Sequence, residues 1–410
     1  MKKIWSVYGS SLILLFSMVF GGIIGYFVGP EIKFLQPFAD IFLNLLYVSV
    51  VPLIFFSLTT SIAKMTDMSK LRKILVYFII GVFITGICAC LSMIIPMMFI
   101  DPVGNAEISL TQNNIDLNAS FNVLSMFTVN DFPLLFSKNN LMALIVFSVI
   151  LSFSLIRSGD RGKKIIALFD DATEIISQFI SIIMKIAPIG LGSYFAILIG
   201  ENGSKLIGPM TKAILIYSVV VIIYYIISQT LYAYIGAGSE GVKAWWKTGI
   251  TPTLTALGTC SSAATLPSNL NQARQLEIPD EIADLVVPLG ANLHKDGACI
   301  IQILKVAFLC SLFGVNFVTI DNILLSILVA VIASIVMGGI PAGGYVAEIF
   351  IISAFGFPQS AIPIMVLIGT ITDAPATVIN VTGDTGLAMV IARLVDGKDW
   401  FSKNYDNKKL

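Results

Sequence analysis

Charged residues are scarce in this chain, and their scarcity decides its class. Only 12% of the 410 residues are charged, whereas 56% are hydrophobic, and the mean hydropathy is +0.90. A soluble domain carries about 25% charged residues, so the composition excludes an ordinary soluble protein and indicates a polytopic membrane protein. The net charge is zero, which argues against binding of nucleic acid.

Cysteine is also limited, and its spacing excludes two further classes. The cysteines are Cys88, Cys90, Cys260, Cys299 and Cys310. All lie in apolar segments and none has metal-ligand spacing, so the sequence predicts neither a disulfide framework nor a zinc site. We expect no cofactor.

The only histidine, His294, stands beside Lys295 and Asp296 inside an apolar region. Ionisable side chains at bilayer depth are costly and mark substrate or ion sites. Gly290 and Gly297 flank the triplet, and glycine weakens a helix. We therefore predict a broken helix that carries a transport site.

Long apolar runs fill the first part of the chain, and a membrane span needs about 20 such residues. The predicted spans are 9–29, 38–62, 74–100, 132–156, 166–199 and 209–236. Basic residues follow every second span, whereas the loop 101–131 has none. The positive-inside rule then places both termini in the cytoplasm and this loop outside a cell (plasma) membrane. The first apolar run has no convincing cleavage site, so we interpret it as an uncleaved span.

After residue 240 the apolar segments become shorter, and Gly, Pro, Ser and Thr interrupt them. Segment 244–278 has two short apolar arms around a serine-rich tip, and 320–357 repeats this design around a glycine-rich tip. A longer apolar segment follows each, at 281–314 and 359–395. Arms too short to span predict re-entrant hairpins, and such paired interruptions point to a transporter binding site.

The last segment carries four polar residues on one predicted helical face. Asp373, Thr377, Asn380 and Asp384 are spaced i, i+4, i+7 and i+11. One interpretation is a polar stripe that joins neighbouring helices. Each carboxylate needs a cation or a proton, however, which favours a pathway that holds an ammonium group and a metal ion.

Four motifs occur here in the order known from one family: GTCSSAATLP at 258–267, PLGANLHKDGA at 288–298, GGIPAGG at 338–344 and DAPATVINVTGD at 373–384. On these motifs the chain resembles the dicarboxylate/amino acid:cation symporters, the glutamate-transporter family, over its whole length. The resemblance implies an all-α membrane protein with eight transmembrane helices and two re-entrant hairpins. It also implies a homotrimer in the lipid bilayer, which transports amino acids by an elevator movement.

The resemblance divides the chain into a scaffold, a transport domain and a tail. The scaffold comprises 1–73 with spans 1 and 2, 101–165 with the external loop and span 4, and 166–200 with span 5. The transport domain comprises 74–100 with span 3, 201–240 with span 6, and 241–397 with both hairpins, the broken span 7 and span 8. Residues 398–410 form a cytoplasmic tail.

The resemblance also implies roles for single residues. Asp373 matches the aspartate that receives the substrate's α-ammonium group, and Asn380 lies near the α-carboxylate. The implied substrate-binding residues are Ser261, Ser262, Ala342, Gly343, Asp373, Ala376, Thr377 and Asn380. The implied cation- or proton-coupling residues are Asn292, His294, Lys295, Asp296, Asn380 and Asp384. Among these, Asp384, Asn380 and Asp296 match sodium ligands, if sodium is retained.

One departure from the family concerns the substrate. Acidic-substrate members carry an arginine where this chain has Ala376, and archaeal members use an arginine at the position of Cys260. A second substrate carboxylate therefore lacks a bidentate partner, and we expect a neutral amino acid. In the alternative, Lys295 serves an acidic amino acid or a dicarboxylate.

A second departure concerns the coupling ion. The family triplet Asn-Met-Asp reads His-Lys-Asp here, and the third-span positions that supply oxygens to sodium are Phe78, Gly81 and Val82. Hard cations need several oxygen ligands. We expect Lys295 to replace a bound cation near Asp296 or Asp384, so that proton coupling or exchange replaces sodium coupling. In the alternative, Lys295 faces a water-filled vestibule and sodium coupling is intact.

Three further interpretations complete the sequence-based hypotheses. Glu348, just beyond the second hairpin tip, is expected on a solvated rim, and the alternative is a proton carrier. An intramembrane aspartyl protease is a remote alternative. Its Gly-x-Gly-Asp signature resembles the segment 381–384, but Val381 replaces the first glycine. An ion channel is another, but a substrate-sized polar site favours a carrier, and we expect no enzyme.

Overall fold

We describe the fold from a computed structural model, which describes residues 2–64, 72–104, 128–137, 140–183, 185–202, 207–337 and 343–404. Within these ranges the regular structure is helical and contains no β-strand. The helices are α1 (Lys2–Val28), α2 (Gln36–Lys64), α3 (Arg72–Met97), α4 (Leu141–Arg157), α5 (Asp160–Ile183), α6 (Ala187–Asn202), α7 (Ile207–Thr248), α8 (Ile250–Thr259), α9 (Ser262–Gln275), α10 (Asp280–Leu293), α11 (Asp296–Leu312), α12 (Ile320–Val336), α13 (Gly343–Phe355), α14 (Ile362–Asp396) and α15 (Trp400–Asn404).

The structure corrects two of the predicted spans. The run 166–199 is divided between α5 and α6, which are bent by 57°. Pro188 lies in the first turn of α6, where the N–H that proline lacks is not needed. In the run 132–156 the residues Phe132–Phe136 form a 3₁₀ turn, and α4 begins only at Leu141.

Four helices of the described part are long and apolar enough to cross a membrane, or five if α5 and α6 count as one bent span. Their exposed surfaces are rich in large apolar side chains, among them Phe27, Phe83 and Ile222. An all-helical membrane protein is therefore confirmed in outline. The count of eight spans with two re-entrant hairpins stays a prediction.

Helix α7 is kinked close to the predicted end of the sixth span. Ala237 and Gly238 leave the helical conformation, and Gly238 has φ of 67°, which only glycine adopts at little cost. The side chains of Arg393 and Trp400 donate hydrogen bonds to the carbonyl oxygens of Ile235 and Gly236, at 2.6 and 2.9 Å. These bonds satisfy backbone groups beside the kink and tie the end of α14 to it.

The two predicted hairpins correspond to two pairs of short helices. α8 and α9 pack together and are joined by Cys260 and Ser261. Cys260 adopts the left-handed conformation (φ 49°), and Ser261 Oγ accepts a hydrogen bond from the backbone N–H of Ala264 at 3.3 Å. α12 and α13 also pack together, and the tip between them at 338–342 lies outside the described residues.

The packing divides the helices into two groups. In the outer group α1 packs along α6, and α2 packs against α4, α5 and α6. In the core group α14 is surrounded by α7, α8, α9, α10 and α11, while α3 packs against α11. α12 and α13 join the core group and also contact α2. The core group is therefore built around α14, the helix with the predicted polar face.

Candidate functional site

The broken helix lies against α14. His294 and Lys295 leave the helical conformation, with φ/ψ of −88°/100° and −131°/51°, and α11 begins at Asp296. The triplet therefore forms the break itself and the first residue after it, as the sequence predicted.

The two flanking glycines have a different role from the expected one. A Cβ atom on Gly290 would lie 2.3 Å from Asp384 Oδ1, and one on Gly297 would lie 2.3 Å from the carbonyl oxygen of Ala376. Both distances are shorter than any van der Waals contact. These glycines let α10 and α11 approach α14 closely, and the break falls between them rather than at them.

His294 lies between two carboxylates. Its side chain is fully buried, Nδ1 is 3.1 Å from Asp384 Oδ1, and Nε2 is 3.4 Å from Asp296 Oδ1. Nε2 also lies 3.0 Å from the hydroxyl oxygen of Thr85 on α3. The imidazole of His294, rather than the ammonium group of Lys295, lies between these two carboxylates.

The direction of the hydrogen bond between Thr85 and His294 depends on the protonation state of the ring. It lies 3.2 Å from the carbonyl oxygen of Val82, to which it can donate its single proton. Nε2–H of His294 then donates to Thr85, and if Asp384 is ionised Nδ1–H donates to its carboxylate, so the ring is a cation. If Thr85 instead donates to Nε2, the ring is neutral. The same contacts accommodate both protonation states.

Two tyrosines complete the surroundings of Asp296. The hydroxyls of Tyr224 and Tyr232 on α7 donate to Asp296 Oδ2, at 2.7 and 3.0 Å. Sequence reasoning missed them and Thr85. A signal was present for the tyrosines, since Tyr224, Ser228 and Tyr232 are spaced i, i+4 and i+8 and form a polar stripe in an apolar run.

Lys295 points toward the first hairpin tip. Its Nζ donates to Ser262 Oγ at 2.9 Å and to the carbonyl oxygen of Ala291 at 2.6 Å, and the residue is buried. No carboxylate of the described residues lies within ion-pair distance of it. The helix break itself explains this direction, because it leaves a carbonyl of α10 free to accept from the ammonium group.

The polar face of α14 runs from an exposed to a buried end. Asp373 is exposed, whereas Thr377, Asn380 and Asp384 are buried. Asn380 Oδ1 accepts from the backbone N–H of Ala298 at 3.2 Å. Asp384 Oδ2 is buried without a hydrogen-bond partner among the described residues. The face therefore joins an open position at Asp373 to the His294 cluster below it.

Other implied site residues divide into those near this face and those away from it. Ala376 is buried against Gly297 of α11. Asn292 is exposed and donates to the carbonyl oxygen of Pro288 at 3.2 Å, so the structure does not bring it into the cluster. Gly343 begins α13, and Ala342 lies outside the described residues.

Glu348 is not on a solvated rim, which corrects the expectation from the sequence. It is buried on α13, and its Oε1 lies 2.8 Å from Nζ of Lys305, which is buried on α11. The rim was expected because Glu348 follows a hairpin tip closely. α13 instead turns this residue inward, where Lys305 provides its charge partner.

Comparisons with known proteins identify the protein family of this chain. Residues 11–394 match the sodium:dicarboxylate symporter family. The proton/sodium-glutamate symport protein of Geobacillus stearothermophilus is 24% identical over 409 residues, which cover 96% of this chain and 95% of the relative. The C4-dicarboxylate transport protein of Bacillus subtilis (strain 168) is 25% identical over 393 residues, covering 92% and 90%.

A third relative, the proton/glutamate-aspartate symporter of Escherichia coli (strain K12), is 23% identical over 424 residues, covering 97% of this chain and 93% of its own. All three are named as transport proteins rather than enzymes, so the protease alternative has no support. The family match extends from the first helix to the end of α14 and includes every motif of the site. The chain belongs to the sodium:dicarboxylate symporter family.

Proposed function

We propose that this protein is a secondary active transporter of neutral amino acids with reduced or absent sodium coupling, operating by proton coupling or by exchange. The observation that carries the proposal is the position of His294. Its imidazole is within hydrogen-bonding distance of Asp384 and Thr85 and lies 3.4 Å from Asp296 Oδ1, in the space between the two carboxylates. Nitrogen atoms there leave no room for a hard cation that needs several oxygens.

The chain supplies only some of the oxygen ligands that a sodium site of this family needs. Phe78 is buried in apolar packing and Gly81 lies against Leu387, so the third helix offers no side-chain oxygen at these positions. Among the described residues, Asp384 Oδ2 and Asp296 Oδ1 are buried carboxylate oxygens without a hydrogen-bond partner, and these still suit a cation.

Charge balance in the core favours a neutral substrate. The carboxylates around the site are those of Asp296, Asp373, Asp384 and Glu348, and the cations are Lys295, Lys305 and, when its ring carries two protons, His294. One negative charge is left over, which suits the ammonium group of an amino acid at Asp373. A neutral amino acid is a zwitterion and leaves this sum unchanged, whereas a substrate with a second carboxylate adds a further negative charge unless sodium enters with it, and an unpaired buried charge is costly. None of the arginines lies in the four motifs.

The family resemblance and the packing support an elevator. The core group is assembled around α14, and the outer group forms a separate set of contacts among α1, α2, α4, α5 and α6. We propose that the core group carries the substrate past the outer group, and that the outer groups of three copies associate in the bilayer.

Uptake into proteoliposomes tests this proposal. We expect saturable, stereoselective uptake of a neutral L-amino acid such as serine, threonine or alanine, at similar rates in sodium chloride and choline chloride. An imposed proton gradient or internal amino acid then drives accumulation. Strict dependence on several sodium ions per substrate would contradict the coupling proposal, and absence of saturable uptake of any amino acid would contradict the carrier.

A second candidate is sodium-coupled transport of acidic amino acids or dicarboxylates, and one contact favours it. Lys295 Nζ lies 2.9 Å from Ser262 Oγ at the hairpin tip, so an ammonium group is present where a substrate carboxylate can meet it. The relatives named above carry glutamate, aspartate or C4-dicarboxylates in their names.

The variant Lys295→Met separates the two candidates. A neutral-substrate carrier retains serine or alanine uptake in this variant, because Asp373 still receives the ammonium group. An acidic-substrate carrier loses the only ammonium group at the tip, and competition by glutamate or succinate disappears. Competition assays on both proteins therefore decide which substrate class is transported.

A further inference from the structure

A second buried charge cluster lies in the core group, apart from the His294 cluster. Lys305 on α11 and Glu348 on α13 are 2% and 3% exposed, and their Nζ and Oε1 atoms are 2.8 Å apart. This pair joins the broken helix to the second arm of the second hairpin. Neither residue belongs to the implied substrate or coupling residues.

The two buried charges of this pair have few hydrogen-bond partners. Glu348 Oε2 and the hydroxyl of the half-buried Tyr345 have no hydrogen-bond partner within the described ranges. An ammonium group has three donors, and in the described part of the chain Glu348 Oε1 is the one acceptor of Lys305 Nζ. Replacing a buried ion pair by apolar residues is often neutral or stabilising, so stability alone does not account for it.

The helix α14 places this pair close to Asp373. A Cβ on Gly369 would lie 2.9 Å from Lys305 Nζ and 3.3 Å from Glu348 Oε1. Asp373 is four residues further along α14, on the same face and about 6 Å along the helix axis. Asp373 is exposed and has no ion pair with any described residue. A lysine has a flexible four-carbon stem and rotatable donors, so the ammonium group has both the reach and the free donors for Asp373.

We propose that Lys305 is a tethered counter-cation, which keeps its contact with Glu348 and donates a second hydrogen bond to Asp373 when no substrate occupies the site. This inference rests on the proposed function, in which Asp373 holds the substrate's ammonium group. In the loaded carrier the substrate occupies Asp373 and Lys305 stays on Glu348. In the empty carrier Lys305 shares its charge with Asp373, which lowers the cost of moving a free carboxylate through the bilayer.

The proposal has a kinetic consequence that a structural role does not have. Net uptake requires the empty core group to return, whereas exchange of internal for external substrate requires only loaded movements. Loss of Lys305 therefore slows net uptake and spares exchange. The substrate also no longer competes with Lys305 for Asp373, so its apparent affinity is unchanged or higher.

The test compares three proteins in proteoliposomes: the parent, Lys305→Met/Glu348→Leu, and the control Lys33→Met/Glu201→Leu. The core double variant removes both charges and so avoids leaving one of them buried alone. The control removes the ion pair between Lys33 Nζ and Glu201 Oε1, 3.0 Å apart and outside the core group. Net uptake, exchange and KM are measured with the same labelled amino acid, and thermal midpoints verify folding.

We expect the core double variant to lose at least tenfold in net uptake, which corresponds to about 1.4 kcal/mol, with exchange and KM within about twofold of the parent. The control should match the parent in both assays. Equal losses in net uptake and exchange, or retention of both, would overturn the role of Lys305. Absence of exchange in the parent would instead overturn the proposed transport function and this inference with it. If the double variant does not fold, Lys305→Gln alone is measured, with the same criteria.

Discussion

A tethered imidazole differs from a bound sodium ion in that it cannot leave. Sodium that binds with a substrate is released on the other side of the membrane, and its gradient does work. His294 is covalently attached and lies between Asp384 and Asp296, so the particle that it can exchange is a proton. The two arrangements of Thr85 show that the site accepts the ring with one proton or with two. In the proposed function the residue therefore takes the place of an ion and leaves proton coupling open.

We predict that His294→Asn makes stability depend on sodium. Removing the imidazole leaves Asp296 and Asp384 without their shared partner, and breaking a buried charge pair costs about 3–5 kcal/mol. Asparagine frees the space and supplies an oxygen, so sodium can bind. A sodium concentration a hundred times above its Kd would restore about 2.7 kcal/mol. The thermal midpoint of the variant should therefore rise with sodium chloride, while that of the parent should not.

Choline chloride at equal concentration controls for ionic strength. The same scan on His294→Leu, which frees space but offers no oxygen, separates sodium binding from relief of crowding. A parent protein whose midpoint rises with sodium as much as that of His294→Asn would contradict the idea that the imidazole has replaced an ion.

At the scale of helices, glycine positions around α14 set how closely the core helices pack. Gly297 on α11 faces the backbone of Ala376, and Gly383 on α14 faces the ring of His294, with 2.7 Å between an added Cβ and Cε1. Gly208 on α7, by contrast, has no atom within 4 Å of an added Cβ. Close approach is therefore required at Gly297 and Gly383, whereas Gly208 has open space around it.

We predict that Gly297→Ala lowers stability and substrate binding together. Its Cβ would meet backbone rather than a flexible side chain, and overpacking of this kind costs about 1–3 kcal/mol. A displaced start of α11 also moves Lys295 and Asp296. Gly208→Ala is the matched control, for which the higher helix propensity of alanine predicts equal or greater stability. Thermal unfolding with and without substrate measures both effects, and a Gly297→Ala protein as stable as the control would contradict this account.

The sequence predicted the helix break, the hairpin tip and the polar helix face, but not which side chains contact one another there. The break at His294, the hairpin tip at Ser261 and the polar face of α14 follow from spacing and composition, which are local properties. That His294 rather than Lys295 would lie between the carboxylates depends on the backbone direction at the break. That Glu348 would meet Lys305 depends on how α13 turns against α11. Contacts between distant segments are tertiary, and no local pattern determines them.

At the scale of the whole molecule, the outer and core groups meet at few places, and one of them is aromatic. Phe42 on α2 and Tyr345 on α13 have ring centroids 6.3 Å apart in an edge-to-face contact. A Cβ on Gly190 of α6 would lie 2.3 Å from Phe42 Cβ, so Phe42 is firmly held in the outer group. An elevator movement must separate Phe42 from Tyr345, whereas contacts inside either group must persist.

We predict that a covalent link between Phe42→Cys and Tyr345→Cys arrests transport reversibly. The control link joins Ser17→Cys on α1 to Gly192→Cys on α6, where an added Cβ lies 3.5 Å from Ser17 Cβ, within the range for a disulfide. Both pairs are placed in a parent in which the two cysteines that are not buried, Cys88 and Cys260, are replaced by alanine.

A short bifunctional thiol reagent, cleavable by reductant, should abolish exchange in the protein with the Phe42/Tyr345 pair, and reduction should restore it. The control pair should transport normally when linked, because both of its residues belong to the outer group. Full exchange in the linked Phe42/Tyr345 protein would show that the two groups do not move past each other, and the carrier would then need a different route for alternating access.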